Sequence, residues 1–232
     1  MSNDLKKLFD MYREMLGGKL TQAQVDAINN IIDEFGVSMF KTIIGVKDVE
    51  RVALTKDGFD RLKKDLFKSL NQIQVDNINF IFDAVNKHEV SNIQQVAYLL
   101  ATVYHETNAT MLPVREAYWL SEAWRKKNLR YYPWYGRGYV QITWLENYQK
   151  MDDELGLDGA LVQNLDLALD PKIAAEILVI GSKKGMFTTK SLDDYINASG
   201  CDYKGARRII NGTDKAGKIA GYAEIFESAL RS

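Results

Sequence analysis

Apolar residues along most of the chain recur every three to four positions, the spacing of helices packed on a core. Leu20–Asp33 (LTQAQVDAINNIID) and Leu70–Asp83 (LNQIQVDNINFIFD) match closely, which marks an internal duplication. Each copy opens on a cap-forming residue, Thr21 or Asn71. Each then sets Val25, Ile28 and Ile32, or Val75, Ile78 and Phe82, on one face of a short amphipathic helix. Two copies are too few for a solenoid. One helix is therefore assigned to a small helical N-terminal unit, residues 1–62, and the other to a larger domain, residues 63–232. The polar turn signal Lys56-Asp57-Gly58 lies close to the boundary.

From Ser91, read as a cap, the positions Ile93, Val96, Ala97, Leu99, Leu100, Val103 and Tyr104 predict a buried helix ending near Glu106. Periodicity then fails. Residues 108–138 are aromatic-rich and carry Pro113 and Pro133, and a long irregular stretch inside a compact domain is usually functional. Tyr139–Thr143 alternates and predicts a short strand or hairpin. Trp144–Leu155, Pro171–Lys184, Ala206–Ile210 and Lys218–Leu230 return to helical spacing, the second with proline in its first turn. The expected fold is mainly α with a small β element (α+β).

Composition narrows the function more than the fold. With 232 residues, 46% of them hydrophobic, the chain can bury one core and a small helical appendage. Thirty basic against 31 acidic residues give a formal charge of −1, so no global field draws the protein to nucleic acid or an anionic membrane. The single cysteine, Cys201, cannot form an internal disulfide and is read as small filler. Lysines near the N-terminus are not followed by an apolar segment, and no window approaches the ~18 apolar residues of a membrane span. A soluble cytoplasmic product without a signal peptide is expected, as is a monomer.

Candidate chemistry gathers around the failed periodicity. Glu106, in His105-Glu106-Thr107 at the end of an apolar helix, is expected to sit against apolar neighbours that raise its pKa, as a general acid needs; the alternative is a helix-terminal glutamate facing water. A zinc-type His-Glu-x-x-His motif is excluded because residue 109 is alanine, and neither metal nor cofactor is expected. Glycoside hydrolysis requires a second carboxylate, for which the downstream loop offers Glu116 and Glu122, either of which can equally be a solvated loop charge. Residues 124–137 interleave basic and aromatic side chains without an acid. Such a stretch suits a glycan groove, a nucleic-acid surface or a hairpin with inward-packed rings.

Three segments together resemble the family 19 glycoside hydrolases, most closely their phage endolysin branch: Tyr98–Thr107 (YLLATVYHET), Tyr135–Trp144 (YGRGYVQITW) followed by Asn147-Tyr148, and Ala206–Gly212 (ARRIING). They stand in the family's order, and a weaker likeness runs from about residue 65 to the end. The resemblance implies a lysozyme-like, α-rich, two-lobed catalytic domain with a small β-hairpin. It makes Glu106 the general acid of an inverting mechanism, with Glu116 as base and Glu122 as runner-up, roughly 6.5–9.5 Å from the acid. Thr143 would hold the attacking water. Gln141 and Asn211 would hydrogen-bond sugar or catalytic groups, Tyr139 and Trp144 would wall the cleft, and His105 and Tyr135 would join the substrate-binding set. Arg137 and Arg208 would pair with the carboxylates or form structural ion pairs. The plant-type chitinases of the family carry several disulfides and longer loops, so the short acid-to-base loop and lone cysteine favour bacterial peptidoglycan over chitin. The implied enzyme is a lysozyme-type N-acetylmuramidase cutting between N-acetylmuramic acid and N-acetylglucosamine. Stored in the host bacterial cytoplasm, it would reach the wall in the periplasm through holin pores, without nucleic acid and without stable membrane insertion. A chitinase of the same mechanism and a non-catalytic glycan-binding module are the alternatives, and the N-terminal unit is a candidate for wall binding.

Overall fold

The computed structural model describes residues 9–10, 13–14, 17–30, 32 and 51–232, which fall into two compact units, 1–50 and 51–232. Half of the small helical unit predicted over residues 1–62 lies outside the described residues, and residues 51–62 pack with the larger unit. There Val52 exchanges two hydrogen bonds with the Asn86 side chain, 2.8 and 3.0 Å long, and α1 (Lys56–Leu62) lies on the last helix of the chain.

The duplication extends to hydrogen bonds. In the first copy, helical over residues 22–30, Thr21 Oγ1 accepts from Gln24 N while Gln24 Oε1 accepts from Thr21 N. In α2 (Gln72–Lys87), Asn71 and Gln74 form the same reciprocal box. Gln22 donates to Asp26 as Gln72 does to Asp76. One sequence motif has produced one local solution twice, in separate units, because capping and (i, i+4) pairs need only the segment itself.

α3 (Ile93–Glu106) is the centre of the larger unit. It is capped by Asn92, whose Oδ1 accepts from Gln94 N, one residue later than the Ser91 cap the pattern predicts. Every residue from Gln95 to Val103 is buried, so α3 is enclosed on all sides rather than along one stripe. Its main partner is the C-terminal helix, Ala216–Leu230, whose Ile219, Ala223 and Phe226 are buried, while α2 packs on the helix Pro171–Lys183. Between α3 and these later helices come β1 (Val114–Arg115), α4 (Glu122–Asn128), β2 (Arg137–Gly138), α5 (Leu145–Leu155) and α6 (Ala160–Gln163). α7 (Pro171–Lys183), β3 (Ile196–Asn197), β4 (Gly200–Cys201), α8 (Tyr203–Ala206) and α9 (Ala216–Leu230) complete the chain.

The strand predicted at residues 139–143 lies earlier. β2 pairs antiparallel with β1, and Ile142 folds back to bridge Arg137. Residues 206–210 form the end of α8 and a 3₁₀ turn, Arg207–Ile209, instead of one helix. No described helix is long and apolar enough to cross a membrane.

Candidate functional site

Glu106 is the last residue of α3, and its placement follows from the burial of that helix. Thr107 closes the turn: its hydroxyl donates to Val103 O at 2.7 Å and accepts from Met111 N at 3.0 Å. The Glu106 carboxylate is not set in the apolar surroundings expected for it. Its Oε1 accepts from Arg207 Nη1 at 2.7 Å, and the Arg207 side chain is almost wholly buried. Arg207 Nε donates to Asp214 O, while the Tyr98 hydroxyl, from within α3, donates to Ala206 O. The arginine is thus tied to the helix that carries its partner. Beside it, burial pushes the His105 imidazole below its usual pKa, and the cations Arg207 and Lys218 push the same way against Glu106 and Asp214. His105 is therefore a neutral ring at neutral pH.

Glu116 directly follows β1 and belongs to a different construction. Its Oε1 accepts from the Tyr131 hydroxyl at 2.6 Å and its Oε2 from the Gly136 amide at 3.0 Å. Desolvation and then Glu116 itself raise the Tyr131 pKa to about 12, which keeps the phenol a donor. A Cβ added at Gly136 would come within 2.8 Å of Gln141 Oε1 and 3.3 Å of Glu116 Oε2, so the absence of a side chain lets these groups converge. Gln141 Nε2 donates to the carbonyls of Val114 and Gly138, stitching the two strands together. The Thr143 hydroxyl donates to Gln141 O at 2.8 Å, which leaves its lone pairs to accept from another group. Trp144 is partly exposed, with Tyr131 against its ring at 5.1 Å and the Arg130 guanidinium over it at 5.6 Å.

Strain concentrates here too. Asn108, Ala109, Met111, Ala117, Gln141 and Trp144 all adopt positive φ without being glycine. Each such residue costs on the order of 1 kcal/mol, and such strain clusters at functional sites.

Several predicted site residues lie elsewhere. Tyr139 is fully buried and donates to Asn77 Oδ1, so it cannot wall a cleft. Arg137 is buried under the Tyr135 ring, 3.7 Å from its centroid, and engages Asp166, the Pro133 and Tyr135 carbonyls and the Tyr148 hydroxyl. Its ion pair is structural. Arg208 is exposed, and it is Arg207 that pairs with a carboxylate. Asn211 is exposed as well, its Oδ1 accepting from Gly212 N. Tyr135 is buried and donates to Glu122, whose carboxylate also pairs with Arg125. Glu122 lines a polar depression of about 820 Å³ with Arg115, Tyr118 and Asp166, and shares none of the side-chain partners of the Glu116 carboxylate. Within residues 124–137 the rings are partly packed inward, and two of the bases, Arg125 and Arg137, are interior. That removes much of the charge a nucleic-acid surface would need.

Sequence reasoning missed Arg207, Tyr131 and Asp166. Arg207 adjoins Arg208 in the Ala206–Gly212 motif, and only the 3₁₀ turn Arg207–Ile209 distinguishes the two. Asp166 joins Arg115 and Arg137 across some 29–51 positions of chain and left none.

No protein-family model matches the chain, and neither does any curated protein. Solved structures do. Chitinase C from Streptomyces griseus superimposes with a TM-score of 0.53 at 19% identity, over 81% of this chain and 83% of that one. A bacterial family 19 chitinase gives 0.51 at 22% identity, over 76% and 94%. At these identities the likeness is one of architecture: the chain has the α-rich, lysozyme-like fold of the family 19 chitinases.

Proposed function

We propose that the protein is a glycoside hydrolase of the family 19 type that cleaves β-1,4 bonds in N-acetylated glycans, with bacterial peptidoglycan as its substrate. The observation that carries this reading is that Glu106, which lies in the resembling motif, and Glu116, the first choice for base, are each held by fixed donors at either end of a segment rich in positive-φ residues. Glu106 protonates the leaving glycosidic oxygen. Arg207 orients its carboxyl group and, once the proton has left, stabilises the carboxylate. Glu116 removes a proton from a water that attacks the anomeric carbon from the opposite face, which inverts configuration. With its own proton committed to Gln141 O, Thr143 accepts a hydrogen bond from that water and so aligns it. Both carboxylates are positioned before substrate arrives, and this preorganisation supplies much of the rate.

The wall reading rests on the short acid-to-base segment and the single cysteine, and it includes storage in a host cytoplasm with holin-dependent release. Chitin is the second substrate, favoured by the fold of the two chitinases. Incubating the protein and its Glu106→Gln variant with chloroform-treated Gram-negative cells, and with chitin oligosaccharides, separates the two. After borohydride reduction, released fragments ending in reduced muramic acid, absent with the variant, support the muramidase; soluble chitooligosaccharides alone support the chitinase. No product from either substrate removes the hydrolase.

A further inference from the structure

Immediately after Glu116 the chain makes a tight turn, Ala117–Leu120, closed by the Leu120 N–H to the Ala117 carbonyl at 2.9 Å. Turn centres ordinarily carry small or polar residues. Here they are Tyr118 and Trp119, which are 60% and 72% exposed and meet edge to face with centroids 5.2 Å apart. The turn is built rather than loose. Arg125, itself buried, donates to the Glu116 and Ala117 carbonyls at 2.9 and 3.1 Å, and Ala117 takes a φ of +49°. A buried guanidinium and a strained residue thus hold two large rings in water, two and three positions from the proposed base.

We infer that Tyr118 and Trp119 form an aromatic platform that stacks on a pyranose ring of the same glycan strand, away from the scissile bond; this rests on the hydrolase reading above. A pyranose has an apolar C–H face that suits an aromatic ring and a rim of hydroxyls that needs donors and acceptors. The depression beside Tyr118 offers both in the half-exposed Arg115–Asp166 pair and in Glu122. This lining of mixed sign does not suit an anionic lipid surface, which selects uniformly basic neighbours around its aromatic anchors.

The test uses the full chain carrying Glu106→Gln, so that binding is read without turnover, with chitohexaose in titration calorimetry and purified sacculi in pelleting. Adding Tyr118→Ala and Trp119→Ala together is expected to weaken binding to these probes about tenfold, the loss typical of exposed aromatic anchors. Trp119→Phe should retain most of the affinity, and the melting temperature should stay within about one degree because both rings are exposed. Unchanged glycan affinity in the double variant overturns the platform. So does loss of binding to phosphatidylglycerol vesicles with glycan binding intact, or failure of the parent to bind either glycan. Turnover by the unmodified protein, assayed separately, decides the hydrolase reading on its own.

Discussion

The wall that carries Glu106 and the wall that carries Glu116 hold similar groups by different means. Glu106 ends a helix whose interior stretch, Gln95–Val103, is buried on every side, and its carboxylate takes one strong partner from a distant segment. Glu116 sits beside two-residue strands, and its position depends on a lattice of hydrogen bonds from Tyr131, Gly136, Gln141 and Arg125. Burial is strong and non-directional, so it places a helix end without aiming the side chain. Hydrogen bonds are individually modest but directional, so the loop wall aims its carboxylate at the expense of backbone strain. The difference teaches where each wall is vulnerable: the first through its single ion pair, the second through any of several bonds.

The largest expected effect comes from Glu106. Glu106→Gln should lower kcat about 10³-fold, as measured by fragment release, and lower the melting temperature modestly, because the buried Arg207 loses its counter-charge. Glu116→Gln should cost about 10²-fold or more, and Glu122→Gln less than about tenfold. Reversal of that order would transfer the base to Glu122 and dissolve the comparison.

The next effect separates positioning from stability. Arg207→Met leaves Glu106 without its partner, and a fall in kcat of roughly tenfold to a hundredfold is expected with KM little changed. An equal loss from Arg208→Met would contradict the assignment.

Asp166 probes the scaffold beneath the loop wall. Burial pushes its carboxyl upward, but hydrogen bonds from Arg137 and Arg115 outweigh that and hold it below the usual range. A lowered folded pKa means stability that is present above the unfolded value near 4 and lost as pH falls through the folded one. Asp166→Asn should cost about 2 kcal/mol, discounted because the carboxylate is half exposed and Arg137 keeps its carbonyl partners. Its melting temperature should converge on that of the parent in acid.

The smallest effect is Tyr131→Phe. Removing one of two donors to Glu116 should reduce kcat severalfold and cost about 1 kcal/mol.

Much of the helical frame was legible in the chain. The capped duplicate helices, the helix ending at Glu106, and the returns at Leu145, Pro171 and Ala216 obey local rules of periodicity and capping, which a segment satisfies by itself. The placement of Glu106 at a helix end and of Glu116 in the irregular stretch was legible for a related reason, since the one follows from helical periodicity and the other from its failure. Which arginine faces which carboxylate was not. Arg207 and Arg208 are adjacent and identical in type, and only the 3₁₀ turn after α8, held by Tyr98, decides that the first points inward. Tyr139 and Trp144 are similar apolar candidates in one motif, yet one is sealed against Asn77 and the other opens to water. The sequence by itself determined the helices and the kinds of groups near the site, because these depend on neighbours within a turn or two. The tertiary structure alone decided the partners, the exposed rings and the positive-φ turns, because each depends on residues brought together from far along the chain.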